Sequence, residues 1–344
     1  MKPWSSPVRG RLEEHVLKSA VLRGNPLGDP VDRPVWVYLP PAYDTQPDRR
    51  FPSIYLIQGM TGQIDMWRNR SAFRPTTLEL IDELFGGEDA APPTIIVLVD
   101  CWTSFGGSQF IDSPGTGRYG TYLADEVVDW IDARYRTLAG PAHRGISGKS
   151  SGGYGAMING LLRPDRFGAI ATHAGDALFE VCYQADFAPA ARALRTDFGG
   201  SFQAWLADFR SRPAFSKAAD EVLINTWAMA ACYSAEADGT ILLPFDPATG
   251  ELLPDTWARW LAWDPVRVAR TEAGIAALRG LRAIYIDAGN QDEYHLDLGA
   301  EAFRRACLAA GSVTPFFEIF NAGHGSIEYR YPKALRYLAE RLIE

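Results

Sequence analysis

Apolar blocks and helical spacings alternate along this chain. Short runs rich in Val, Ile, Leu and aromatic residues fall at 31–39, 53–58, 94–100, 142–146, 169–173, 283–287 and 316–320. Their length and their flanking Gly, Pro and Asp residues predict strands. Between them, apolar residues recur at helical spacing over 77–85, 121–136, 151–162, 298–310 and 331–343, which predicts helices. The run at 11–22 predicts an additional antiparallel edge strand. Strand and helix in alternation give a mostly parallel sheet with helices on both faces, an α/β class of fold.

The alternation breaks at 179–273, where nearly a hundred residues separate two consecutive core strands and a crossover needs far fewer. This segment is read as a helical cap inserted over the sheet edge. It is rich in aromatic residues, among them Phe198, Phe202, Trp205, Phe209, Trp227, Tyr233, Trp257, Trp260 and Trp263, and it holds no histidine. Such residues either build a small core of their own or wall a pocket, and the expectation is a cap that narrows a substrate pocket.

Composition fits one large domain over 1–344: 47% of residues are hydrophobic, enough for a substantial core. The net charge of −8 leaves no basic stripe, which argues against nucleic acid or an anionic membrane as partner. Cys101, Cys182, Cys232 and Cys307 are scattered, with neither CxxC nor zinc-like spacing, and read as buried thiols rather than metal ligands. Residues 1–10 hold no apolar leader pattern, and no run reaches membrane-spanning length. A cytoplasmic location is expected.

The chemistry concentrates at Gly148-Lys149-Ser150-Ser151-Gly152. Gly-x-Ser-x-Gly between a strand and a helix marks a nucleophile elbow, a sharp turn that lifts one serine hydroxyl out of the sheet. The glycines at minus two and plus two relieve backbone crowding, and only Ser150 has glycine at both. The Ser151 N–H then opens the following helix, where unpaired amides favour a developing oxyanion. A second donor is expected from the loop after the strand at 53–58, and the backbone N–H of Met60, beside Gly59 and Gly62, is the candidate.

A serine nucleophile requires a base and an acid that orients it. Of the five histidines, His324 stands in a glycine-flanked loop after the strand at 316–320, whereas His15, His143, His173 and His295 fit the required order less well. Asp292, in the loop beyond the strand at 283–287, is the candidate acid. Its rival is Asp176, after the preceding strand, while Asp287 lies inside a strand pattern and reads as a structural partner. Gln109, His173 and Asp176 follow strand ends at the carboxyl edge of the sheet, where open α/β sheets bind ligands, and are candidate substrate contacts. A metal held by His173, Asp176 and Glu180 is a minor reading because their spacing is irregular.

These motifs resemble the putative-esterase branch of the α/β hydrolases, which includes S-formylglutathione hydrolases, enterochelin esterases, feruloyl esterases and mycolyltransferases. The resemblance covers nearly the whole chain and is carried by Val35-Trp36-Val37-Tyr38-Leu39-Pro40-Pro41, Tyr55-Leu56-Ile57-Gln58-Gly59, Gly106-Gly107-Ser108-Gln109, Gly117-Arg118-Tyr119-Gly120, the elbow, Asp287-Ala288-Gly289-Asn290-Gln291-Asp292 and Gly323-His324. It implies an α/β-hydrolase fold and a serine esterase or acyl-transfer enzyme with Ser150, Asp292 and His324 as triad. Many members carry His-Ser-Met-Gly-Gly at the elbow. This chain has Lys149-Ser150-Ser151-Gly152-Gly153, so the substrate of any single branch does not carry over. The expected reaction is hydrolysis of a small-molecule carboxylic ester through an acyl-enzyme, with no cofactor and no metal. Acyl transfer to a sugar or other alcohol is the alternative within the same chemistry, and a catalytically silent binding protein the alternative outside it.

Overall fold

The computed structural model describes residues 7–213 and 215–343. Residues 1–6 of the segment read as lacking a leader lie outside that description. Eight strands form one sheet: β1 (Arg11–Lys18), β2 (Asp32–Leu39), β3 (Ser53–Ile57), β4 (Ile95–Val99), β5 (Arg144–Lys149), β6 (Ala169–His173), β7 (Ala283–Gly289) and β8 (Phe316–Phe320). Their spatial order is β1-β2-β4-β3-β5-β6-β7-β8. The β1–β2 and β2–β4 pairs are antiparallel, and every pairing from β4 through β8 is parallel. This is the α/β-hydrolase arrangement, with the antiparallel strand expected at 11–22 closing one edge.

Three sequence expectations shift at their ends. The edge strand predicted at 11–22 stops at Lys18, where the chain turns toward β2. The strand predicted at 142–146 starts at Arg144, because Pro141 opens a 3-10 turn through His143 whose Nδ1 bonds to the Leu342 carbonyl, 2.6 Å away. The helix predicted at 121–136 begins at Tyr119, passes through a π-helical turn over Tyr122–Val127 and ends at Arg134.

Among the described residues, the helices of seven or more residues are α1 (Thr77–Gly86), α2 (Val128–Arg134), α3 (Ser151–Leu162), α4 (Gln184–Asp197), α5 (Phe202–Ser211), α6 (Asp220–Tyr233), α7 (Pro254–Leu261), α8 (Glu272–Gly280), α9 (Leu296–Ala310) and α10 (Tyr331–Leu342). Strand side chains alternate between faces, so β3 feeds two cores. Ile54 and Leu56 pack with Ile96, Leu98, Ile81 of α1 and Leu335 and Leu338 of α10. Tyr55 and Ile57 pack on the opposite face with Val97, Val99, Ile146 and Tyr154 and Ile158 of α3. Burial on both faces explains why β3 and β4 are apolar at successive positions.

Helices α4 to α8 all lie in the chain between β6 and β7, two adjacent parallel strands, so this segment leaves the sheet and returns beside its point of departure. Its aromatic residues build a core of their own: Phe187 stacks on Phe245 at 5.0 Å between ring centroids, and Trp257 and Trp260 meet Phe187 edge-on at 5.4 and 5.6 Å. Among the described residues no helix is long and apolar enough to cross a membrane. All four cysteines are free and buried.

Candidate active site

The turn from β5 into α3 is shaped by two close backbone approaches. A Cβ on Gly148 would stand 2.5 Å from the carbonyl carbon of Gly152, and one on Gly152 would stand 2.5 Å from the Ile57 carbonyl oxygen at the end of β3. Only glycine fits both positions. Between them Ser150 adopts φ 59° and ψ −128°, a conformation non-glycine residues rarely hold and one that stores strain at functional sites. Surrounding bonds hold it there: the Ser150 N–H donates to the His173 carbonyl at 3.0 Å, and the Tyr154 N–H returns to the Ser150 carbonyl at 2.9 Å.

His324 follows β8 and reaches this turn. Its Nε2 lies 3.0 Å from Ser150 Oγ, and its Nδ1 lies 2.8 Å from Asp292 Oδ2. The Asp292 side chain is wholly buried, and its second oxygen accepts from the Tyr294 N–H at 2.9 Å. The two loops are laced together, since the Asn290 and Gln291 N–H groups donate to the carbonyls of Phe320 and Ala322 at 2.8 and 2.9 Å. Glu293, which sequence reasoning left without a role, accepts from the His324 N–H at 2.8 Å. That bond holds its carboxyl below the usual carboxylate range. The Tyr294 ring meets the imidazole edge-on at 4.9 Å. Serine, imidazole and carboxylate thus form one continuous line of hydrogen bonds.

Across that line a second chain segment approaches. Gly59 and Met60 follow β3, and the Gly59 Cα is near enough that a Cβ there would stand 3.6 Å from the Ser150 Cβ. Among the described residues, neither the Met60 nor the Ser151 N–H donates to another protein group. Gly106 and Gly107 back Met60. The Gln58 carboxamide, oriented to suit its neighbours, donates to the Val99 carbonyl and accepts from the Cys101 and Trp102 amides, each at 2.9 Å. A cavity of about 970 Å³ opens here, with Met60, Ser150, Ser151, Asp176, Tyr294 and His324 in its walls.

A family description extends across this whole arrangement: the model of the family described as "Putative esterase" matches residues 30–324. The chain belongs to this esterase family. Among curated relatives, Esterase Rv1288 of Mycobacterium tuberculosis is 29% identical over 167 residues, 47% of this chain and 30% of that protein. The MPT51/MPB51 antigen of Mycobacterium bovis is 38% identical over 64 residues, 19% of this chain and 21% of the antigen. The chain therefore spans under a third of these curated relatives' length. Among solved structures, a ferulic acid esterase superposes with a TM-score of 0.62 at 18% identity, covering 97% of this chain and 99% of that one. An S-formylglutathione hydrolase from Agrobacterium tumefaciens gives 0.57 at 16% identity, covering 98% of each. At these identities the likeness is one of fold.

Other residues stand differently from their sequence reading. His173 does not reach the cavity. It is buried, its Nδ1 is 2.6 Å from Asp287 Oδ1, and Arg330 Nε donates to the other Asp287 oxygen at 2.9 Å. A strand side chain alternates faces, and this one points into the layer between sheet and α10. Its contribution to the site is the backbone carbonyl beneath Ser150. Gln109 is also buried, away from the cavity, with Nε2 within 3.2 Å of Asp176 Oδ2, 3.1 Å of Tyr183 OH and 3.0 Å of Tyr233 OH. Asp176 does line the cavity, and lies apart from His324's hydrogen bonds. Glu180, grouped with His173 and Asp176 in the minor metal reading, pairs with Arg267 instead.

Tyr183 escaped sequence reasoning, and Tyr233 entered it only as one of the insertion's aromatic residues, because they sit in the insertion, 33 and 83 positions beyond the elbow serine. No local pattern announces them. Of the two readings open to the insertion's aromatic residues, Trp257 and Trp260 take the first: they are buried in the insertion's own core and do not line the cavity. The wall comes instead from Tyr183, Asp186, Phe215, Glu221 and Asn225.

Proposed function

We propose that this chain hydrolyses carboxylic esters of small molecules through a serine acyl-enzyme. The observation that carries the reading is the unbroken hydrogen-bond line Ser150–His324–Asp292, at 3.0 and 2.8 Å, ending on a strained turn at a cavity wall. In this reading His324 Nε2 takes the Ser150 proton as Oγ attacks the ester carbonyl, then returns it to the departing alkoxide. Asp292 fixes the imidazole tautomer and stabilises the imidazolium. The free N–H groups of Met60 and Ser151 receive the charge that gathers on the carbonyl oxygen. Water then repeats the sequence on the acyl-enzyme, and no metal or cofactor enters any step. The segment between β6 and β7 acts as a cap that walls the cavity, within a single α/β-hydrolase domain. Four free, buried thiols fit a reducing, cytoplasmic setting.

Labelling with a fluorophosphonate and turnover of p-nitrophenyl esters test this directly. Ser150→Ala, folded by thermal melt, should lose labelling and roughly 10⁴-fold or more of turnover, whereas Ser151→Ala should keep both within roughly tenfold because alanine retains the N–H. Labelling that survives in Ser150→Ala would place the nucleophile elsewhere.

A further inference from the structure

We infer that Asp176 is a specificity-determining residue that accepts a hydrogen bond from a positively charged donor, an ammonium group, on the ester substrate. The inference rests on the esterase reading above and names the substrate class. Asp176 is only 6% exposed, yet it lines the cavity that holds Ser150. Its Oδ2 is saturated, receiving Tyr183 OH at 2.8 Å, Ser151 Oγ at 3.2 Å and Gln109 Nε2 at 3.2 Å. Its Oδ1 accepts from no group among the described residues, and it is not sealed from the cavity. A carboxylate held rigidly through one oxygen, with the other unclaimed and facing free space, is built to receive a donor. Ser151, which follows the nucleophile in the chain, bonds the same carboxylate at 3.2 Å, and Ser150, Ser151 and Asp176 line one cavity, so a substituent on a bound ester shares that space with the carboxylate.

The charge of the walls selects among donors. Asp176, Asp186, Glu221, Glu293 and Glu328 all line the cavity, and the lysine among them, Lys149, is paired with Glu328 at 3.3 Å. Glu221 accepts from Tyr294 OH, and Asp186 from Asn225 Nδ2 at 3.0 Å, so neither meets a cation among the described residues. A substrate carrying carboxylates or phosphates would meet this field head-on. A neutral hydroxyl would satisfy Oδ1 and leave the buried charge uncompensated. An ammonium does both, through a charge-assisted hydrogen bond.

Two pairs of esters that exchange a methyl for an ammonium test the inference: benzyl glycinate against benzyl propionate on the acyl side, and 2-aminoethyl benzoate against propyl benzoate on the alcohol side. At neutral pH at least one ammonium ester should exceed its partner in kcat/KM by roughly tenfold or more, the worth of one charge-assisted hydrogen bond. Asp176→Asn should lose that preference, since its amide oxygen must face the three donors and its NH₂ then faces the cavity. A readout that needs no variant is protection of the wild-type serine from the fluorophosphonate, in which butylammonium should outcompete butanol. Ratios at or below one for both pairs, equal protection by amine and alcohol, or a preference intact in folded Asp176→Asn would each overturn the inference while labelling and neutral-ester turnover upheld the esterase reading. Absence of both labelling and turnover would overturn the two together.

Discussion

Asp186 offers a test of the cavity's electrostatics through stability alone. It sits in the first turn of α4, faces Glu221 of α6 across the cavity wall, and accepts one hydrogen bond, from Asn225 Nδ2. Burial, with Glu221 adding to it, pushes its carboxyl up from 3.8 to about 6, against the Asn225 bond that pulls it down. The native state therefore binds this proton more tightly than the unfolded chain does. The group adds stability below the unfolded value, and that contribution is lost as pH rises through the folded one. A shift of this size is worth about 3 kcal/mol over the whole window, of which about 1.4 kcal/mol falls between pH of about 5 and about 7.5. Partial exposure trims the measurable part to about 1 kcal/mol. Asp186→Asn keeps the acceptor for Asn225 and cannot ionise. Urea unfolding of both proteins at the two pH values should show the variant gaining on the wild type by about 1 kcal/mol more at the higher pH. A difference that stays flat with pH, or that favours the wild type as pH rises, would refute the assignment of an uncompensated acidic wall.

Two further substitutions probe the frame. Gly152→Ala would force a Cβ to within 2.5 Å of the Ile57 carbonyl and 2.8 Å of the Gln58 carbonyl; neither backbone group can swing away, so a loss of about 1–3 kcal/mol in urea unfolding and a collapse of fluorophosphonate labelling are expected, and unchanged labelling would refute the packing argument. Trp260→Ala removes a fully buried indole whose Nε1 donates to Ser234 Oγ at 2.8 Å. It should cost about 3–5 kcal/mol by thermal and urea unfolding yet leave the order of preference among esters as it was, because Trp260 does not line the cavity; a reordered preference would show that the indole acts on the pocket.

The sheet was legible because its parallel strands are short, mostly apolar runs, continuously so where β3 and β4 are buried on both faces, and β3, β4, β6, β7 and β8 lie within two residues of their sequence bounds. The elbow was legible because the turn leaves room only for glycine at 148 and 152. Local patterning misled where tertiary packing decides. His173 has the position of a substrate contact, at a strand end on the ligand edge, but its side chain is drawn into the layer of Asp287, Tyr285 and Arg330. The insertion's tryptophans stayed open between core and pocket wall because burial in a small separate core and burial against a ligand leave the same aromatic signature. The polar cluster around Asp176 joins residues from four separated segments, Gln109, Ser151, Tyr183 and Tyr233, and nothing within one sequence window records such a meeting.

That cluster also bears on how the molecule can move. Tyr183 and Tyr233 belong to the insertion, whereas Gln109, Ser151 and Asp176 belong to the sheet's carboxyl edge. Asp264, from the far end of the insertion, takes the Leu178 and Phe179 amides at 3.1 Å each. Those Asp264 bonds tie the two ends of the insertion together, and a rigid swing about them would have to break the Tyr183 and Tyr233 bonds to Gln109 and Asp176 and expose a buried carboxylate, a cost of several kcal/mol for each opening. Traffic into the cavity is therefore confined to local yielding at its rim, near the half-exposed Phe215. Exchange rates of backbone amides should separate the two regions: slow across the braced helices α4 and α6, fast over 215–219 at the cavity rim.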